Sequence, residues 1–270
     1  MIFLRKPIIF SLLAFSALYG TVQAQAAESI HHEMKLILSM AGIPVGKLAF
    51  DIKIGDGKYN ISGFAKTYGA SKLFSKAKGS ANSGGRYENY RLTNISHSLN
   101  YTTKKKKGNV VLKFGENGLE FAKVTPIKAI KPGTVIVKPS HLKSVQDPVS
   151  TTLIAVDPGM VGNGAAICNR TLAVYDGKNR FDLKMRYKGK RKVVTRGFKG
   201  TSYVCGVRYL PVAGHRPHKK EIKRLTANKN MEISLARIGN SSLYGLIQFK
   251  VKTKYGTIVG KPSYYVSTIK

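Results

Sequence analysis

The sequence predicts an all-β chain: a single curved antiparallel sheet, or open half-barrel, of about 12 strands with one short helix. Three observations carry this. Apolar residues recur at every second position through most of the chain, with polar residues between them. Period two with one polar face marks antiparallel strands laid against a core. Glycine-containing turns separate the runs, supplying the positive φ that tight hairpins need. The two cysteines, Cys168 and Cys205, bracket the clearest alternation in the chain. So many strands in one flat sheet would leave long exposed edges, so curvature toward closure is expected.

The N-terminus speaks for compartment. Arg5 and Lys6 precede an apolar run from Ile8 to Leu18, too short to cross a bilayer, which takes roughly 20 residues. Val22-Gln-Ala24 and Ala24-Gln-Ala26 fit a small-x-small cleavage rule. Residues 1–26 therefore read as a secretory signal peptide cleaved after Ala24 or Ala26, and 27–270 as one all-β domain delivered to the periplasm. No cysteine stands near the cut to take a lipid. Export to an oxidising compartment favours pairing of the two thiols.

In chain order, Ile30–Met40 alternates, with Met34, Leu36, Leu38 and Met40 on one face. Residues 41–46 turn, and Lys47–Ile54 returns with Leu48, Phe50, Ile52 and Ile54 inward. Gly55-Asp-Gly57 makes the next turn before a strand over Tyr59–Lys66. Ala70–Ala81 has a weak helical or irregular pattern that Ser-Gly-Gly (83–85) breaks. A strand follows over Leu92–Tyr101, then the four-lysine run Lys104–Lys107, read as a solvated turn. Asn109–Phe114 and Leu119–Val124 form a hairpin about Gly115–Gly118. Asp147-Pro148 is the best helix start, since Asp can cap free N–H groups and Pro suits the first turn; the helix would cover Val149–Val156.

The block between the cysteines comes next. Leu172 and Val174 share the face of Cys168, and Tyr175-Asp-Gly-Lys178 turns the chain. Phe181, Leu183, Met185 and Tyr187 point one way. Lys188–Lys192 reads as a basic turn, and Val193–Phe198 returns. Tyr203, Cys205, Val207 and Tyr209 share one face, so both cysteines fall on apolar strand faces and a buried disulfide is expected. Gly214–Lys220 is basic and loop-like, and Met231–Arg237, Leu243–Lys252 and Ile258–Ile269 close the sheet.

Charge is extreme. Lys and Arg number 46 against 13 acidic residues, a net +33, which becomes +31 when Arg5 and Lys6 leave with the signal. Such a surface attracts anionic lipid or other acidic envelope components; a lineage-wide bias toward lysine gives the same balance. Candidate chemistry is sparse. His215 and His218 could hold a metal, but no third ligand stands nearby, so no metal site is assigned. Asp51, Asp176 and Asp182 lie at exposed or turn positions. No nucleophile elbow or phosphate-cradling glycine loop is present. No catalytic residue and no cofactor is expected, and nucleic acid is disfavoured by export.

Five segments resemble a known family: Tyr175–Leu183, Tyr203–His215, Asp147–Ser150, Met231–Ala236 and Thr253–Gly256. They are similar to the bacterial periplasmic domain-of-unknown-function family 3108 (DUF3108), in its alphaproteobacterial form. The resemblance implies an exported all-β protein. More remotely, the architecture resembles the curved half-barrels of periplasmic lipoprotein carriers, which hold acyl chains in an apolar concavity. The expected function is a non-enzymatic envelope protein whose concavity takes a lipid, lipopeptide or hydrophobic segment behind a basic rim. The alternative is a filled core with an anionic partner recruited through the basic surface. A hydrolase would instead need carboxylates converging in a cleft.

Overall fold

The computed structural model describes residues 29–69, 76–127 and 129–270. The expected signal peptide and residues 70–75, the first half of the expected irregular stretch Ala70–Ala81, lie outside them. Fourteen strands form one antiparallel sheet that does not close on itself. In chain order they are β1 (Ile30–Met40), β2 (Ile43–Gly55), β3 (Lys58–Thr67), β4 (Lys78–Glu88), β5 (Arg91–Thr102), β6 (Lys107–Gly115), β7 (Gly118–Thr125), β8 (Leu153–Ala155), β9 (Thr171–Tyr175), β10 (Arg180–Thr195), β11 (Phe198–Ala213), β12 (Met231–Arg237), β13 (Leu243–Thr253) and β14 (Gly256–Ile269). Spatially the sheet runs from β7 back to β1, continues through β14, and descends to β9, with β8 paired to β13. The pairing of β1 with β14 joins the two halves in the middle. Helices α1 (Gly164–Cys168) and α2 (Lys220–Ala227) complete the fold.

The hairpins follow from local chemistry. Asp56 and Gly57 both take positive φ (50° and 67°), as a two-residue turn matched to strand twist requires. Inward residues then stack across strands: Met34 and Leu36 of β1, Phe50 and Ile52 of β2, and Ile61 of β3 are all buried. The long β10–β11 hairpin curls over this inner face. Its tip reaches β14, where Tyr265 N donates to Arg196 O at 3.0 Å, and Val193 and Phe198 join the same core. The interior is therefore filled rather than hollow.

Several sequence expectations are corrected. The helix over Val149–Val156 is one 3-10 turn (Ser150–Thr152) followed by β8. Leu153 packs into the core beside β1–β3, whereas Ile154 packs into a second core with the disulfide. Strand alternation sends neighbouring side chains to opposite sides; a helix would not. The basic turn at 188–192 does not exist. β10 runs through it with a bulge between Tyr187 and Gly189, and the chain reverses at Arg196-Gly197. Ser83-Gly-Gly85 does not end an element: it lies inside β4 (Lys78–Glu88), where the pairing with β5 shifts register between Gly84 and Gly85. A Cβ on Gly85 would stand 2.6 Å from the Tyr59 ring, so glycine there admits a close approach. Cys168 is the last residue of α1, which Asn163 caps through its side chain, and is not on a strand. The disulfide to Cys205 of β11 is nevertheless formed, with a Cα separation of 5.4 Å and both cysteines fully buried.

The first and last strands of the path, β7 and β9, meet across a seam. Gly177, in the β9–β10 turn, sits so close to Val110 of β6 that a Cβ would be 2.7 Å from it. The chain from 134 to 150 fills the seam. Val135 N donates to His215 O, and Gly214 N to Val135 O. Gln146 bridges β9 through bonds to Ala173 and Tyr175.

Asp147 anchors that segment. It is wholly buried, and its two oxygens accept from Ser83 Oγ at 2.8 Å, Ser150 Oγ at 2.7 Å, Val149 N, Ser150 N and Asn94 Nδ2. His97 Nδ1 lies 3.1 Å from Oδ1 and 2.8 Å from Ser83 Oγ. The carboxylate can only accept, so Ser83 donates to it and Nδ1 of His97 carries a proton. From the other side the Tyr59 hydroxyl lies 2.9 Å from Asn94 Oδ1 and 3.1 Å from Ser150 Oγ, its one proton shared between these two acceptors. Burial by itself would raise the Asp147 pKa; the His97 bond and charge and the Ser150 hydroxyl and N–H outweigh it and hold the carboxyl below its ordinary range.

His32 is the opposite case. It is fully buried beside Tyr265, bonds Ser267 Oγ at 2.9 Å through Nδ1, and leaves Nε2 without a partner among the described residues. Burial brings its pKa down to about 4.

Three outcomes are expected. Reducing the disulfide, which closes a loop of sequence separation 37, should cost about 4 kcal/mol in denaturant unfolding. Asp147→Ala should cost about 3–5 kcal/mol, since it strands several buried donors. The isosteric Asp147→Asn should also destabilise, because an amide nitrogen would face donors; a neutral effect would show that the cluster does not hold the seam. Unfolded His32 titrates near 6.5 and the native residue near 4, so as pH falls through that window the unfolded state binds the proton first. Stability should drop by about 3 kcal/mol between those values and level off below. His32→Phe should flatten that limb of the stability–pH curve.

Candidate functional groove

With the interior packed, a groove of about 1060 Å³ opens at the mouth of the sheet. That volume lies at the upper end of small-molecule sites. One wall is the inner face of β5–β7, through Leu99, Val110 and Val124. The other is built from the seam segment, the β9–β10 turn and the first turn of α2. The wall residues occupy inward positions of their strands because of the alternation; the arrival of Ile127 and of residues 129–137 turns an open sheet end into a groove.

The chain leading from β7 into the seam segment presents apolar side chains to solvent here. Ile127 is 93% exposed, Ile130 72% and Ile136 54%. Around them stand Lys106, Lys131, Lys178, Arg216 and Lys219. Two acids line the groove, Asp176 and Glu221. Asp176 is occupied by its own turn, accepting from Lys178 N, Asn179 N and Asn179 Nδ2. The groove is thus apolar within and cationic at its edge.

His215, considered from sequence as a metal ligand, lines the groove floor, buried, with Nδ1 unpartnered among the described residues. His218 is exposed in the following loop and packs against Gly133. No group of three metal-ligating residues converges among the described residues. Asp51 pairs with His31 at 2.7 Å and Asp182 with Arg180 at 2.6 Å, each on its own sheet face. The polar cluster at Asp147 escaped sequence reasoning. Its signal was present: Ser83, Asn94 and His97 are polar residues at inward positions of β4 and β5, where the alternation calls for apolar ones. The cluster does not have the layout of a hydrolytic triad, since Ser83 and Asp147 meet the same ring nitrogen of His97, whereas a relay needs them on opposite nitrogens.

Among the described residues no helix is long and apolar enough to cross a membrane. No curated protein matches the sequence. A crystal structure of a beta-barrel-like protein of domain of unknown function DUF1849 from Brucella abortus superimposes with a TM-score of 0.53, at 8% identity, covering 89% of this chain and 98% of that one. That likeness is one of fold. The sequence itself matches the family described as Protein of unknown function (DUF3108) over residues 33–261, and the chain belongs to that family.

Proposed function

We propose that this chain is a non-enzymatic envelope protein of the periplasm whose groove takes the acyl part of an anionic amphiphile, a lipid or lipopeptide. The observation that carries this is the pairing of three solvent-exposed isoleucines with a cationic rim in one groove. Exposed apolar surface of this kind marks binding sites. Each isoleucine covered by a chain would contribute roughly 1.5–3 kcal/mol if it were fully buried. Cations at the rim select a negatively charged headgroup and add salt-sensitive attraction. The buried disulfide and the secretory leader expected at 1–26 support export. A sealed polar cluster and surface carboxylates already engaged with histidine or arginine speak against hydrolysis.

A second reading keeps the groove as a protein-binding surface, the basic rim recruiting an acidic partner. The measurement that separates them is fluorescence titration with dansyl-labelled undecanoic acid. Ile130→Asp should weaken binding at least tenfold, and Lys131→Glu with Lys219→Glu should weaken it and abolish its salt dependence. Absence of any saturable binding by the folded wild-type protein, together with a salt-sensitive protein partner in pull-down, would leave the second reading standing.

A further inference from the structure

The strand register assembles a feature that no single stretch of sequence shows. Lys47 of β2 stands opposite Lys66 of β3, Lys66 opposite Lys78 of β4, Lys78 opposite Thr102 of β5, and Thr102 opposite Lys107 of β6. Directly opposed residues share a face, so these side chains form one row across the outer surface. All are exposed. With neighbouring strands ~4.8 Å apart, the row spans about 19 Å. Across β1 it continues to Lys261 of β14, which is opposite Ile37, itself opposite Lys47.

Like charges directly opposed on neighbouring strands repel, and among the described residues no carboxylate pairs with any of the four lysines. Lysine also guards free sheet edges against aggregation, but β2 to β6 are interior strands with a neighbour on each side. The row lies at the first or last residue of β4, β5 and β6 and one residue before the end of β3. Beyond it, at the same end of the sheet, two hairpin tips expose apolar side chains: Ile43 at 59% and Tyr255 at 74%. A plane of cations beside protruding aliphatic and aromatic tips is the pattern of interfacial membrane binding.

We propose that this end of the molecule docks on a bilayer surface of anionic headgroups, the row of Lys47, Lys66, Lys78 and Lys107 facing the phosphates and the tips at Ile43 and Tyr255 entering the interface. The inference goes beyond the groove and stands on different residues, since none of the row lines it. A lipid surface takes an exposed row of cations without any shaped recess, which a folded protein partner would call for.

The chain contains no tryptophan, so Tyr255→Trp supplies a unique probe. With vesicles of phosphatidylglycerol and phosphatidylcholine its emission should shift to the blue, and the protein should co-sediment; neither should occur with phosphatidylcholine alone. Replacing the four row lysines by Gln should reduce partitioning at least a hundredfold, at roughly fivefold per lysine. It should leave dansyl-undecanoic acid binding unchanged and hold or raise Tm, because the row repels itself. A matched variant losing Lys53, Lys58, Lys192 and Lys199 should retain most of the binding. Equal loss in both variants would reduce the effect to net charge and overturn the proposal. So would a row that binds inorganic polyphosphate but no vesicle, which would assign it to a soluble polyanion.

Discussion

A single buried carboxylate pins the segment that crosses between the two ends of the open sheet. Asp147 is the only acidic residue among the described buried ones, and a buried charge is tolerated only when it is fully bonded. Its partners come from β4, β5 and the 3-10 turn that follows it. The bonds tie the seam segment to the first half of the sheet. The same segment, one residue earlier, bridges β9 at Gln146. Adjacent residues thus hold opposite ends of a sheet that never closes through strand pairing. Without the anchor, β7 and β9 would present free edges, and free edges invite other chains.

The location of the groove follows from that arrangement. The β10–β11 hairpin fills the interior from the far side, and the Tyr265, Phe198 and His32 rings lock together where its tip meets β14. Seam residues fill most of what remains. At the mouth, where the chain runs from β7 toward residue 137, Ile127, Ile130 and Ile136 are left uncovered. Inward apolar residues suit a filled core and an open concavity equally, and here they fill the core, leaving a groove at the sheet's end. A cationic rim and the lysine row lie at this same end, so the molecule is polarised along its strands.

Much of the fold could be read from residues alone. β12 was located residue for residue at Met231–Arg237, and the hairpins around Asp56-Gly57 and Glu116-Asn117 followed from turn chemistry. Misreadings cluster where local signals were outweighed by distant partners. Lys188–Lys192 has the composition of a turn, yet β11 and β12 extend alongside and keep it in the sheet. Val149–Val156 has a capping residue and apolar content suited to a helix, yet two separate cores claim its neighbouring side chains.

By itself the sequence determined the class of fold, the partnership of Cys168 with Cys205 and the basic character of the surface. Alternation, glycine turns and charge count are local properties that every packing of this chain must respect. Tertiary structure alone decided that Ser83, Asn94, His97 and Asp147 meet, that the interior is filled while a groove stays open at its mouth, and that lysines far apart in the chain fall into one row. Those outcomes depend on register and on which strand ends meet. A shift of one residue would turn each inward polar group to solvent and scatter the row, because side chains alternate faces at every step.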